Sequence, residues 1–474
     1  MRENVGKVKR KRVKKTQMNK KRSAFSGKIG YVLSAAGASV GLGNIWRFPY
    51  LAAKYGGGIF LLVYIILALT FGYTMIVAES ALGRMTRKSP VGAFRSFAKG
   101  KKVGWLSFGG WINAIIPVLI VPYYSVIGGW VVKYLFEYIR GNGSKLAEDG
   151  YFSGFISNGG ATELCFVIFC LFTLVIIYAG VQNGIERVSK IMMPILIVLS
   201  VIIAIYSVTR PGAIEGVKYF LVPNIKNFSW MTVVTAMGQM FYSLSIAMGI
   251  LVTFGSYMRK DTSIEDSTRN VEIFDTAIAM MAGLMIIPAV FAFSGGDPNT
   301  LQAGPSLMFI TIPKVFANMG FGTAVGILFF VLVLFAAVTS SIALTESAVS
   351  TFEDELGWGR KKATILTGVI MIALGTLSCL GYGPLDFVKI IGMQFLDFFD
   401  FLTNSVMMPI AALMTSLLVS RVIGVDKIEE EIRHGESAFR RKKIFVVMIK
   451  YLCPIFALII LASSVANAFG WISM

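Results

Sequence analysis

Histidine is nearly missing from this chain. Of 474 residues only His434 is one, and it sits in a charged loop, so neither an imidazole metal site nor histidine acid–base chemistry can operate in the apolar parts of the molecule. Only four cysteines occur, Cys165, Cys170, Cys379 and Cys453, each inside an apolar run, which implies neither a disulfide framework nor a zinc site. No phosphate-cradling glycine-lysine loop and no nucleophile elbow is present. Energy for any work must then come from an ion gradient rather than from ATP. Acidic residues are also scarce, 26 against 45 Lys and Arg, giving a formal net charge of +19.

What the chain has in abundance is apolar sequence: 55% hydrophobic residues, 15% charged and a mean hydropathy of +0.70, far outside the soluble range. Runs long enough to cross ~30 Å of hydrocarbon recur near 29–51, 59–84, 105–139, 162–181, 188–209, 232–257, 273–294, 321–351, 363–382, 390–420 and 445–470, about eleven spans. The positive charge is not a nucleic-acid patch. It is concentrated in the tail before the first span, in the loop from Arg84 to Lys102 and in the loop from Arg421 to Lys443, whereas the intervening loops near 295–320 and 382–389 carry almost none. By the positive-inside rule the basic loops are cytoplasmic, which puts the N-terminus inside and, with eleven spans, the C-terminus outside. The tail is not a signal peptide, because the apolar run behind it is too long and lacks a cleavage site. We therefore divide the chain into a basic cytoplasmic tail (1–28), a ten-helix core (29–420) and a loop with an eleventh helix (421–474), in a multi-pass protein of the cell membrane.

Two spans are interrupted. Gly37-Ala38-Ser39-Val40-Gly41-Leu42-Gly43-Asn44-Ile45-Trp46-Arg47 places three glycines, an asparagine and an arginine at mid-depth, and Gly238 to Gly249 again places glycines and polar groups in the middle of a span five helices later. Unwound backbone inside a bilayer survives only where it is packed in protein or lines a polar cavity, and there its carbonyls can hold a cation. Breaks at matched positions of two five-helix halves point to inverted repeats with a site at the midplane. Asp275 adds an intramembrane carboxylate, and Thr339-Ser340-Ser341 adds hydroxyls in the eighth span. Single hydroxyls of this kind more often bond back to the i−4 carbonyl. Oxygen ligands without sulfur or imidazole suit a hard cation.

The run Gly41-Leu42-Gly43-Asn44-Ile45-Trp46-Arg47-Phe48-Pro49-Tyr50, followed by Gly56-Gly57-Gly58, resembles the first-helix signature of the neurotransmitter:sodium symporters, particularly their bacterial amino-acid transporters. The similarity extends from about Arg22 to Ser420 and includes the 239–249 break, Thr339-Ser340-Ser341 and Phe352 to Leu356, although many members have a twelfth helix. It implies an all-α polytopic fold of two inverted five-helix repeats with broken helices 1 and 6, plus the eleventh helix. It also implies two co-transported sodium ions. The first would be held by the Ser39 carbonyl, Asn44, Ser243, Asp275 and the substrate carboxylate. The second would be held by the carbonyls of Gly37, Val40 and Ala336 with the hydroxyls of Thr339 and Ser340.

For the organic substrate the resemblance implies the amides of Leu42 and Gly43 and the Tyr124 hydroxyl against a carboxylate, with Ile120, Ile127, Tyr242, Ser245, Met248 and Leu344 around the side chain. Biogenic-amine members carry an aspartate at the position of Gly41, so a neutral, apolar or aromatic α-amino acid is expected here. Arg47 and Asp400 would form the outer gate; Arg22 and Asp354, with Phe25 and Tyr257, would form the inner one. Asp275 stands where many members have asparagine, and its fixed charge implies transport without chloride. A receptor that binds without turnover and a proton-coupled carrier remain open as alternatives.

Overall fold

The computed structural model describes residues 22–98, 104–294 and 304–472. The tail up to residue 21 and Lys99, Lys101 and Lys102 lie outside the described residues. Among those described, nine uninterrupted helices are long and apolar enough to cross a membrane, and no β-strand occurs. In chain order the core segments are α1 (Lys28–Ser39), α2 (Phe48–Lys54), α3 (Gly58–Thr86), α4 (Gly104–Ile139), α5 (Gly159–Tyr178), α6 (Val181–Val208), α7 (Trp230–Ser243), α8 (Ile250–Tyr257), α9 (Ile264–Ser294), α10 (Gly322–Leu356), α11 (Arg360–Leu380), α12 (Phe395–Ile423) and α13 (Lys442–Ala468). The two short pairs α1/α2 and α7/α8 are the broken first and sixth spans, so nine whole spans and two broken ones make the expected eleven. Below, "inner" denotes the face carrying Arg22 and the loop between α12 and α13, and "outer" the opposite face.

The breaks have different local causes. After Ser39 the chain turns out of helix at Val40 (φ −75°, ψ 92°) and re-enters through a wide π-type turn, Gly43–Arg47, whose looser coil recurs at functional positions of helices. Glycines allow the close approach this needs. A Cβ on Gly43 would lie 2.5 Å from the Tyr242 ring, and one on Gly37 3.2 Å from Thr339 Cβ. The break in the sixth span is narrower than the sequence suggests: Gly238 to Ser243 stay helical, and only Leu244 to Gly249 unwind. Within it Ser245 (φ 53°), Ala247 (φ 60°) and Gly249 (φ 69°) are left-handed, a strained choice for the two residues that are not glycine.

Neighbouring spans accommodate these turns. Pro117 inside α4 cannot donate to the Asn113 carbonyl, and that carbonyl faces Gly249, 2.6 Å from where a Cβ would stand. Asp275 lies well inside α9, because the seventh span begins at Ile264, before the apolar run that marks it in the sequence. At the crossing of α3 and α8, a Cβ on Gly83 would meet the Val252 carbonyl at 2.0 Å. Gly83→Ala should therefore cost about 1–3 kcal/mol through overpacking and lower the detergent melting temperature by several degrees. Gly154→Ala, with nothing within 4 Å, should leave it unchanged; equal melting of the two variants would show that α3 and α8 do not cross this closely.

Candidate functional site

At the meeting point of the two breaks, Asp275 is fully buried and its carboxylate is saturated with donors from three other spans. Oδ1 accepts from Asn44 Nδ2 at 2.8 Å and from the Ser243 hydroxyl at 2.7 Å, and Oδ2 accepts from the Tyr64 hydroxyl at 2.6 Å. Asn44 Nδ2 also donates to Ser243 Oγ at 2.9 Å, while its Oδ1 accepts from the Gly41 amide at 3.2 Å. A carboxylate, an amide and a hydroxyl from the seventh, first and sixth spans thus meet at one point.

The hydroxyl cluster of α10 meets the first span beside this point. Ser340 Oγ lies 3.3 Å from the Gly37 carbonyl, 3.1 Å from that of Ala38 and 3.4 Å from that of Val40. Thr339 faces Gly37, and its hydroxyl donates back to Phe335 at 2.9 Å and Ala336 at 3.2 Å, the arrangement common for helical hydroxyls. That bond uses the proton and leaves oxygen lone pairs for a cation.

Between these oxygen clusters lies a narrow cavity of about 20 Å³. Its wall contains Ser39, Leu42, Gly43, Ile120, Tyr124, Tyr242, Ser243, Ser245, Met248, Ser340 and Leu344, together with Ala38, Gly41 and Asn44. Tyr124 Oη is 3.3 Å from the Leu42 amide nitrogen, and Ser245 Oγ donates to the Ala38 carbonyl at 3.0 Å. No Lys, Arg, Asp or Glu lines it. A Cβ on Gly41 would stand 2.6 Å from Ser340 Oγ and 3.1 Å from Tyr124 Oη, so the polar end is closed to any larger residue at 41. Ile127, grouped with the pocket in the sequence, lies instead in the vestibule above it.

That vestibule holds about 400 Å³ and is lined by Trp46, Arg47, Tyr123, Tyr242, Asp397, Asp400 and residues of α13 such as Ser463. Arg47 and Asp400 share its walls without forming an ion pair. The Arg47 guanidinium stacks 5.4 Å over the Tyr242 ring, and Asp400 accepts from Tyr123 at 3.2 Å and Asn404 at 2.5 Å. The inner side is shut. Arg22 binds Asp354 at 2.6 Å and Ser350 at 2.7 Å and lies 5.0 Å over Tyr257, while Phe25 packs edge-on against Tyr31, Phe254 and Tyr257. Tyr257 in turn donates to the buried Glu346, which Arg360 clasps through both nitrogens.

Four supporting residues are not singled out by the sequence analysis: Tyr64, Gln239, Glu79 and Glu346. Gln239 Nε2 donates to the Gly43 carbonyl at 3.0 Å. Glu79, completely buried in α3, accepts the Ala247 amide at 2.8 Å and so satisfies the backbone of the left-handed break. A lone carboxylate within an apolar run was the available signal for Glu79 and Glu346.

A bundle in which two interrupted helices meet around such a cavity defines the class: an ion-coupled membrane transporter of the inverted-repeat kind. The sequence pattern of the sodium:neurotransmitter symporter family matches residues 22–144 and 151–470. An uncharacterized sodium-dependent transporter of Bacillus subtilis, YhdH, is 36% identical over 87% of this chain and 91% of its own length. Another from Haemophilus influenzae is 32% identical over 95% and 99%. The fold also resembles the crystal structure of MhsT in complex with L-phenylalanine, with a TM-score of 0.84, 36% identity and coverage of 94% of this chain and 100% of that one. This chain belongs to the sodium:neurotransmitter symporter family, and its work is sodium-coupled transport of a small molecule.

Because Glu79 holds the Ala247 amide, Glu79→Leu should strand that donor at a cost of about 1–3 kcal/mol and lower the melting temperature by several degrees. Glu79→Gln, which keeps an acceptor, should lose less than half as much. Equal losses would mean that packing, not the hydrogen bond, is what Glu79 supplies.

Proposed function

We propose that the protein imports a neutral α-amino acid with an apolar or aromatic side chain, together with two sodium ions, by alternating access and without chloride. The carrying observation is the Asp275 carboxylate, gathered by Asn44, Ser243 and Tyr64 directly beside the pocket. One sodium ion between Asp275, Asn44, Ser243 and the Ser39 carbonyl would touch the carboxylate of the substrate, so that ion and substrate bind as a pair. The Leu42 and Gly43 amides and the Tyr124 hydroxyl supply the donors for that carboxylate. The uncharged remainder of the pocket favours an apolar or aromatic side chain, with Met248 a flexible wall. The L-phenylalanine bound to MhsT supports the substrate class.

A second ion between the carbonyls of Gly37, Val40 and Ala336 and the hydroxyls of Thr339 and Ser340 would bridge α1 to α10, and its departure would release α1 from α10. An open vestibule on one side and the Arg22–Asp354 contact on the other fit a carrier caught on its outward-facing side. Each sodium ion crossing ~100 mV down a tenfold gradient yields about 2.3 plus about 1.4 kcal/mol, so two give roughly 7 kcal/mol. That is enough to concentrate a neutral amino acid by several orders of magnitude.

Chloride independence follows from charge. A buried carboxylate at this position and a chloride ion a few Å away repel strongly in a low-dielectric site. In reconstituted vesicles, L-phenylalanine uptake should be sodium-dependent, should carry inward current, and should be unchanged when chloride is replaced by gluconate. Asp275→Asn should make it chloride-stimulated or abolish it. A wild type that stops when chloride is withdrawn would overturn the role given to Asp275, and binding without current would identify a receptor instead.

A further inference from the structure

The segment between α12 and α13 is bound into the inner face far more tightly than a connecting loop requires. Its short helix, Val425–Arg433, buries Val425, Ile428 and Ile432 and presents Glu431, 6% exposed, to α3. Arg84 of α3, with no exposed surface, donates from Nε to Glu431 Oε1 at 2.7 Å, from Nη2 to the Glu431 carbonyl, and from Nη1 to the Thr262 carbonyl at 2.5 Å. One guanidinium thus joins the second span, the turn between α8 and α9, and this loop.

Farther along, the loop is held by Glu265, in the first turn of α9. Its carboxylate accepts the Arg440 amide at 2.7 Å, the Arg441 amide at 3.2 Å and the Tyr73 hydroxyl from α3. In return Glu436 accepts the Glu265 amide at 2.8 Å. Arg441 pairs with Glu272 at 3.4 Å and stacks 4.8 Å over Tyr73. The backbones also meet: a Cβ on Gly435 would lie 2.6 Å from the Thr262 carbonyl. Arg87 completes the set by capping the end of α8, with Nη1 3.0 Å from the Ser256 carbonyl and 2.7 Å from that of Met258.

These contacts differ in kind from the closure around Arg22. That seam joins the segment preceding α1 to α8 and α10 through one backbone bond, from the Phe25 amide to the Tyr257 carbonyl at 3.1 Å, and otherwise through side chains at its partly exposed edge, with Arg22 16% and Asp354 25% exposed. The 424–441 contacts are mostly buried, use backbone groups on both sides, and leave few partners for the freed groups if they part. Separating them would strand a buried guanidinium and a carboxylate, an outcome far less favourable than parting an exposed ion pair.

We propose that the 424–441 segment is a permanent joint. It binds α3, the inner half of the sixth span and the start of α9 into one body throughout the transport cycle, so that the inner side opens at the Arg22–Asp354 seam and not here. The proposal rests on the alternating-access reading above, but its test needs no transported substrate. Asp266→Cys and Arg440→Cys, replacing an ion pair at the exposed edge of the joint and introduced together, should be bridged by a short bis-methanethiosulfonate reagent to the same yield in sodium and in potassium. With Phe25→Cys added, maleimide labelling of the inner seam after cross-linking should still rise when sodium is replaced by potassium, to within twofold of the rise in the reduced protein. A cross-linking yield that depends on the ion, or a failure to cross-link in either, would overturn the joint. So would a cross-link that abolishes the sodium-dependent labelling until reductant restores it. If labelling at residue 25 ignores sodium even in the reduced protein while the cross-link forms equally in both ions, the joint stands and the alternating-access reading fails.

Discussion

One buried carboxylate organises the centre of this molecule. Asp275 cannot remain charged in an apolar bundle without donors, and the donors it has come from Asn44 in the first span, Ser243 in the sixth and Tyr64 in the second. Satisfying it therefore requires both broken helices to be in register with α9 and α3. The breaks depend on that register in turn: α1 ends beside α10, where Ser340 reaches three of its last carbonyls, and the sixth span unwinds where Glu79 can take the Ala247 amide. Under the proposed function, a cation placed among these oxygens would act on four spans at once, and so give an ion control over the shape of the carrier.

The opposite construction of the two faces follows the same logic. On the outer side Arg47 is committed to the Tyr242 ring and Asp400 to Tyr123 and Asn404, so each charge is held separately and the vestibule stays open. On the inner side Arg22, Ser256, Ser350 and Asp354 close the seam beneath Phe25, and Tyr257 links it to the Glu346–Arg360 pair. The inner contacts are numerous but individually modest, so a change of a few kcal/mol at the central site is of the right size to shift the balance between closed and open.

The first break was plain in the sequence because glycines, an asparagine and an arginine share one short stretch of an apolar run. The second was visible only in outline. Its actual limits, Leu244 to Gly249, are set by left-handed Ser245 and Ala247, whose conformations local propensity disfavours and which depend on an acceptor 168 positions away in Glu79. Tyr64 and Gln239 were hidden for a related reason: a tyrosine or glutamine in an apolar run carries no local mark of its partner. The seventh span was placed too late because its first turns are charged, and those charges turned out to serve the 424–441 segment. The pocket wall was largely legible through the family resemblance, whereas the height of Ile127 and the separation of Arg47 from Asp400 depend on helix tilts that no spacing in the chain records.

The account stands on ion and amino acid occupying one shared site, and equilibrium binding measures that directly. L-Phenylalanine binding to the detergent-solubilised protein should tighten at least tenfold as sodium replaces N-methyl-D-glucamine, and sodium affinity should rise by the same factor when L-phenylalanine is present, as linkage demands. Equal L-phenylalanine affinity with and without sodium would contradict it.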